Sequence, residues 1–240
     1  MPSADREVQL WRADLDVSPA QLRRLIGYLS AEELTRAARL RRERDRRRWT
    51  AARGWLRRLL GAELGVPAAT VALRVAASGK PSVPGLCFSL SHSGTLALIA
   101  VSHEHEVGVD VEAVTADRPV PERFLCAAER TAVDGAADRS RAALQCWVGK
   151  EAYVKGTGEG IDDRIRELDM SPLVASRPAT LPDGWSVWPI EVGPGYMGAL
   201  AVGWRGSGDI RPPRVRPVSS HPRLAGATRR ATVARAVGGV

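Results

Sequence analysis

Hydrophobic and polar positions alternate most sharply over residues 107–112, where Val107, Val109 and Val111 fall on one face of a strand and Asp110 and Glu112 on the other. Two apolar runs, residues 95–102 and 196–203, read as buried strands of similar composition, an echo too short to define a repeat by itself. Residues 8–11 and 185–190 predict further strands, and Ser18 before Pro19 marks a helix start. Helical spacing governs residues 31–64, where Trp49, Ala52, Leu56, Leu59 and Leu60 form an apolar stripe about 100° wide. Arg46, Arg53 and Arg57 lie at the edge of that stripe, where they can reach a docked ligand, while Arg47 and Arg58 point toward solvent. Shorter helices are predicted at 127–132 and 142–155, the second ended by the glycines of residues 156–160.

Composition narrows the class of molecule. At 240 residues and 44% hydrophobic content the chain can bury a core as one domain or two small ones. Cys87, Cys126 and Cys146 form no paired spacing, which argues against a disulfide framework or a zinc site and fits a reduced, cytoplasmic setting. The N-terminal segment lacks a signal-peptide pattern, and the apolar run 96–101 is too short to span a bilayer, so no membrane association is expected.

The net charge of +8 is unevenly placed: residues 36–58 carry +9 and residues 205–240 carry +7, which leaves the rest of the chain at −8. Neither basic island carries a nucleic-acid-binding signature, so nucleic acid is not the expected partner. An anionic cofactor and an acidic protein account for the first island. The second lies in a stretch rich in Gly, Pro, Ser and Arg, which reads as a largely disordered tail over residues 206–240.

Chemistry concentrates around residues 147–158. On a helix, Glu151 and Lys155 stand one turn apart on the same face. Together with Asp110 and Glu112, Glu151 would complete an oxygen-only cluster suited to Mg²⁺, which favours carboxylates and substrate phosphates. Val111 adds no fourth carboxylate, so water would complete the shell. The plainer alternatives are a solvated strand face for Asp110 and Glu112 and a surface ion pair for Glu151 and Lys155. His92 shares the strand face of Leu90 and in isolation reads as a core histidine, and Lys80 before Pro81 reads as a turn. Trp147 reads as a core anchor, Lys150 as a supporting residue, and His103 and His105 as surface residues of a loop.

Gly79-Lys80-Pro81, Ser89 to Gly94, Val107 to Glu112 and Trp147 to Lys155, in this order and at this spacing, resemble the 4'-phosphopantetheinyl transferase superfamily over roughly residues 36–204, and the length resembles its surfactin-synthetase-activating branch. The resemblance implies an α+β fold of two similar α/β halves related by a pseudo-twofold axis. Residues 1–104 would form the nucleotide-binding half and residues 105–205 the half with the metal and the catalytic helix, followed by the basic tail. It implies transfer of the phosphopantetheine arm of coenzyme A to a serine of an apo acyl or peptidyl carrier protein, an acidic partner, by a monomer using Mg²⁺ or Mn²⁺. Asp110, Glu112 and Glu151 would hold the metal, Glu151 would also take the serine proton, directly or through a metal-bound water, and Lys155 would bind a phosphate. Ser91 and His92 would meet the nucleotide and a phosphate of coenzyme A. Lys80 and Pro81 would meet the nucleotide end, Arg46 its 3'-phosphate, and Arg53 would be a second basic candidate. Two other classes remain open from the residues alone: a non-catalytic nucleotide- or phosphoprotein-binding module, and a nucleic-acid-binding protein using its arginine islands.

Overall fold

The computed structural model describes residues 8–75, 79–115, 120–160, 163–203 and 215–218. The fold is mixed α+β. In chain order it contains β1 (Gln9–Asp14), α1 (Pro19–Ile26), α2 (Ala31–Ala38), α3 (Glu43–Leu64), β2 (Arg74–Val75), β3 (Pro81–Ser82), β4 (Cys87–Ser93), β5 (Leu96–Ser102) and β6 (Glu106–Ala113). These are followed by α4 (Ala127–Asp134), α5 (Arg139–Thr157), α6 (Ser171–Val174), β7 (Ala179–Thr180), β8 (Trp185–Ile190), β9 (Tyr196–Gly203) and β10 (Val215–Pro217). Two compact units result, one from residues 1–11 and 73–215, the other from residues 12–72 and 216–240.

Among the described residues there are two four-stranded sheets, ordered β10-β1-β5-β4 and β6-β9-β8-β7. The two similar apolar runs become β5 and β9, each an inner strand of its own sheet. β5 pairs antiparallel with β4, Cys87 opposite Ser102 through Ser93 opposite Leu96. β9 lies antiparallel between β6 and β8. Val107, Val109 and Val111 of β6 enter an apolar layer with Leu96, Leu98 and Ala100 of β5 and Leu200 and Val202 of β9. The opposite face of β9, with Ala199 and Ala201, joins Cys146, Val148 and Ala152 of α5 in a second layer that also contains Met170 and Leu173. The alternation read in residues 107–112 therefore has a simple cause: the valine face of β6 packs on β5, and its carboxylate face does not.

The second unit is built on α3. The helical pattern expected to run unbroken over residues 31–64 is two helices, α2 ending at Ala38 and α3 starting at Glu43. The break has an electrostatic consequence. Glu33 of α2 accepts from Arg53 Nε at 2.9 Å and Nη2 at 2.6 Å, and from Arg57 Nε at 2.5 Å. On one straight helix, residues 33 and 53 would lie about 30 Å apart at 1.5 Å per residue, so this contact exists only because the chain folds back. Arg57, expected at the ligand-facing edge, is instead buried and also donates to Val71 O at 3.1 Å. The apolar stripe is otherwise as expected, with Ala52, Leu56, Leu59 and Leu60 fully buried. Trp49 is half-buried between the guanidinium groups of Arg36 and Arg53, 5.8 and 6.0 Å from its ring centroid. Gly54 lets α1 lie close to α3, because a Cβ there would meet the Leu25 Cβ at 2.6 Å.

Residue 104, the last of the expected first half, falls in the turn between β5 and β6, inside the first unit. The tail expected over residues 206–240 lies outside the described residues except for 215–218. There β10 sits at the edge of the first sheet and Val218 is buried. Among the described residues no helix is long and apolar enough to cross a membrane. The three cysteines are free thiols, and burial pushes that of Cys146 up to about 12.

The Glu33 cluster gives a pH-dependent stability of known sign. Burial raises the Glu33 pKa, but the Ser30 backbone N–H and then Arg53 and Arg57 outweigh it, and the carboxyl is held below its ordinary 4.5. Because the folded value is depressed, the contribution is complete above that ordinary value and is lost as pH falls through the lower folded one. Urea denaturation of the wild type and of Glu33→Gln should therefore give a stability gap that is constant near neutrality and narrows below about pH 4.5.

Candidate active site

The site forms where α5 crosses β6. A Cβ on Gly108 of β6 would overlap the Ala152 carbonyl and the backbone of Gly156, so glycine allows strand and helix to touch backbone to backbone. Gly156 in turn faces the Trp185 ring, which a Cβ would strike.

Rotation of α5 about its axis is fixed by Lys150. Its ammonium is fully buried, 2.7 Å from Glu129 Oε2 and 2.7 Å from Phe124 O. Glu129 is fully buried as well, and it accepts from the backbone N–H of Cys126 at 2.8 Å and of Met170 at 3.0 Å. The pair thus ties α5 to α4 and to the segments on both sides, and its charges are matched by hydrogen bonds. Cys126, Glu129 and Asp169 gather within 4.8 Å of one another, a spacing that suits a metal. The Lys150 ammonium already balances the Glu129 charge there. With Lys150 turned inward, Glu151 and Lys155, one turn apart on a shared face, are both half-buried.

Lys155 Nζ lies 2.5 Å from Asp110 Oδ1 and 3.1 Å from Ser91 Oγ. Ser91 Oγ donates to the same Asp110 oxygen at 2.7 Å. The other oxygen, Asp110 Oδ2, is buried with no hydrogen-bond partner among the described residues. Asp110 is almost wholly buried, whereas the Lys155 side chain keeps 34% of its surface exposed. A carboxylate buried to this degree with one oxygen unsatisfied is a site for a further cation or donor. Glu112 accepts from Ser93 Oγ at 2.8 Å on the next outward position of the strand. Asp110, Glu112 and Glu151 are not gathered into a group as tight as that around Glu129. The closest cation to Asp110 is the Lys155 ammonium.

Lys80 follows Gly79, whose φ of 83° makes the expected turn. It donates to Glu106 Oε2 at 3.2 Å and to the carbonyl of Gly156, the last turn of α5. Pro81 opens β3, opposite Val75 of β2. His92 is exposed, so the core reading of this histidine does not hold. On β4 Ser89 and Ser91 are buried as well as Phe88 of the opposite face, which polarity does not suggest for the serines. Trp147 is half-buried on Phe124, ring centroids 5.0 Å apart. His105, expected at the surface, is buried, and burial lowers its pKa. Arg46 and Arg53 belong to the second unit, Arg46 paired with Glu43 and Arg53 with Glu33.

Several residues of this arrangement escaped the sequence reading. Glu129 had a local signal, since an acidic residue three after a helix cap forms a capping box. Ser89 and Ser93 had a period of two with Ser91, but nothing in that spacing names the strand they would meet. Gly108 and Gly156 show their importance only when α5 and β6 are brought together.

A family model described as the 4'-phosphopantetheinyl transferase superfamily matches residues 106–194, the stretch from β6 to just beyond β8. The chain is 36% identical over 215 residues to the 4'-phosphopantetheinyl transferase HetI of Nostoc, an alignment covering 83% of this chain and 90% of that protein. It is 31% identical to the 4'-phosphopantetheinyl transferase psf-1 of Bacillus pumilus, covering 64% of this chain and 68% of that one. To the human L-aminoadipate-semialdehyde dehydrogenase-phosphopantetheinyl transferase it is 26% identical, covering 62% of this chain and 55% of that protein. The chain belongs to the 4'-phosphopantetheinyl transferase superfamily.

The buried pair offers a direct test of how α5 is held. Lys150→Met or Glu129→Leu alone strands one buried charge and should cost about 3–5 kcal/mol in urea denaturation. The double variant should recover most of that loss, and a loss equal to the sum of the two singles would show that the residues act independently.

Proposed function

We propose that this chain transfers the 4'-phosphopantetheine arm of coenzyme A to a serine of an apo acyl or peptidyl carrier protein and releases adenosine 3',5'-bisphosphate. The observation that carries this reading is the meeting of Asp110, Ser91 and Lys155 at the crossing of β6 and α5, with one buried carboxylate oxygen unsatisfied. That oxygen and its hard-donor neighbours suit Mg²⁺, or Mn²⁺, better than a soft metal. Asp110, Glu112 and Glu151 are the residues that would hold it. When bound, the ion would offset charge on the pyrophosphate and orient it.

The chain's own groups do the rest. Lys155, partly exposed beside Asp110, binds a phosphate oxygen and stabilises charge during transfer. Glu151 accepts the proton of the carrier serine, directly or through a water. The serine oxygen bonds to the pantetheine-bearing phosphorus, the bond from that phosphorus to the bridging oxygen breaks, and adenosine 3',5'-bisphosphate leaves with the bonding pair. His92, exposed near the end of β4, serves a phosphate of coenzyme A, with Ser91 near the nucleotide. Lys80 meets the nucleotide or its 3'-phosphate, and Pro81 stiffens the loop that carries it. Arg46, with Arg53 as a second basic group, serves the 3'-phosphate, a task suited to a guanidinium. We read the surfactin-synthetase-activating branch, supported by the likeness to psf-1, and an acidic carrier, supported by the +9 charge of residues 36–58, as parts of the same proposal, together with a monomeric state and a cytoplasmic setting.

The deciding experiment incubates the chain with coenzyme A, Mg²⁺ and a set of apo carrier proteins and reads the carriers by intact mass. Asp110→Ala and Glu151→Ala should each lower kcat at least about a hundredfold, a loss of at least about 2.7 kcal/mol, with the fold unchanged by circular dichroism. Near-normal turnover by either variant at saturating Mg²⁺ overturns the assignment, and coenzyme A binding without transfer to any carrier favours a binding module. In the same assay Arg46→Ala and Lys80→Ala should raise KM for coenzyme A more than for its 3'-dephospho form. Equal effects on the two substrates remove the 3'-phosphate role.

A further inference from the structure

β4 and β6 belong to different sheets, yet three serines of β4 bind the backbone of β6 at regular intervals. Ser89 Oγ accepts from Val109 N–H at 3.1 Å, Ser91 from Val111 at 3.3 Å and Ser93 from Ala113 at 3.1 Å. The rungs advance two residues at a time on both strands, so each serine meets its strand in the same geometry. A hydroxyl has one proton. With the oxygen accepting the amide, that proton falls to the side chain of the residue just before the amide. For Ser91 this is Asp110, at 2.7 Å, and for Ser93 it is Glu112, at 2.8 Å. For Ser89 it is Gly108, which has no side chain. The ladder thus repeats one structural rung three times and adds a carboxylate contact to two of them.

We propose that Ser93 is a positioning residue for Glu112. Its hydroxyl, itself oriented by the Ala113 amide, fixes one Glu112 oxygen and so the direction in which this carboxylate is offered to a divalent cation. The proposal rests on the reading of Asp110, Glu112 and Glu151 as the metal-holding residues. Ser91 plays the same part for Asp110, but it also meets Lys155 at 3.1 Å, so its removal would disturb two groups at once. Ser93 separates the effects, and Ser89 supplies a matched control, because it makes the same backbone bond and touches no carboxylate on β6.

The test is calorimetric titration of Mg²⁺ into the full chain with coenzyme A present and no carrier protein, alongside urea denaturation. Ser93→Ala should weaken Mg²⁺ binding by about 10- to 100-fold, as loss of a hydrogen bond to a ligating carboxylate typically does. Ser93→Thr, which keeps the hydroxyl, should recover it. Ser89→Ala, which removes the backbone rung alone, should lose stability in urea and bind Mg²⁺ as the wild type does. Wild-type affinity in Ser93→Ala, or equal weakening in Ser89→Ala, overturns the proposal while leaving the metal site standing. No Mg²⁺ binding by the wild type, or unchanged binding by Glu112→Ala, overturns the carboxylate reading and this proposal with it.

Discussion

The contact on which the first unit depends is the backbone approach of α5 to β6 at Gly108 and Gly156. Helix and strand usually meet through side chains that hold their axes about 10 Å apart. Here the absence of two Cβ atoms removes that spacer. Asp110 lies two residues beyond Gly108 on the same strand face, and Lys155 directly precedes Gly156. Close approach at the glycines therefore brings these two charges together, and Trp185 closes the space behind Gly156. A larger residue at either glycine would separate the charged groups without altering them.

Distance alone would leave α5 free to turn. The Lys150–Glu129 pair removes that freedom by placing one charged residue of the helix wholly inside, with each ion bonded to backbone as well as to its partner. Such pairs contribute little net stability compared with apolar packing, but they penalise every arrangement that leaves one ion alone. The sequence spends a lysine inside the fold, and the consequence is that the next residue, Glu151, and Lys155 one turn on are directed elsewhere. The second unit uses the same device: Glu33 can be buried because Arg53 and Arg57 meet it, which requires α2 and α3 to be antiparallel neighbours instead of one rod.

Much of this site was legible from spacing. Residues 107–112 alternate because one face of β6 packs on β5, and Asp110 falls on the face toward α5, where it meets Lys155. The run at 196–203 is a near-continuous apolar strand because β9 is buried on both faces, and the run at 185–190 pairs beside it. The reading failed where polarity stood for exposure. Ser89 and Ser91 are buried, because the β6 amides beside them need acceptors, and His92 is exposed, on the face opposite the serines. Arg57 is buried for a related reason: Glu33 and three backbone carbonyls stand ready to receive its guanidinium. No local pattern announces a partner 20 or more residues away.

By itself, then, the sequence determined the elements and the chemistry each carries: the period of β6, the one-turn spacing of Glu151 and Lys155, the turn at Gly79, and the order of motifs that marks the family. These are local properties, set by backbone periodicity and by residues within about one turn of each other. Only the tertiary structure decided which of the charged residues face inward and which meet. Whether an ion is held by Asp110, or a lysine is buried at position 150, depends on groups supplied by distant segments. The free energy of burying a charge is settled by those partners and not by the residue itself.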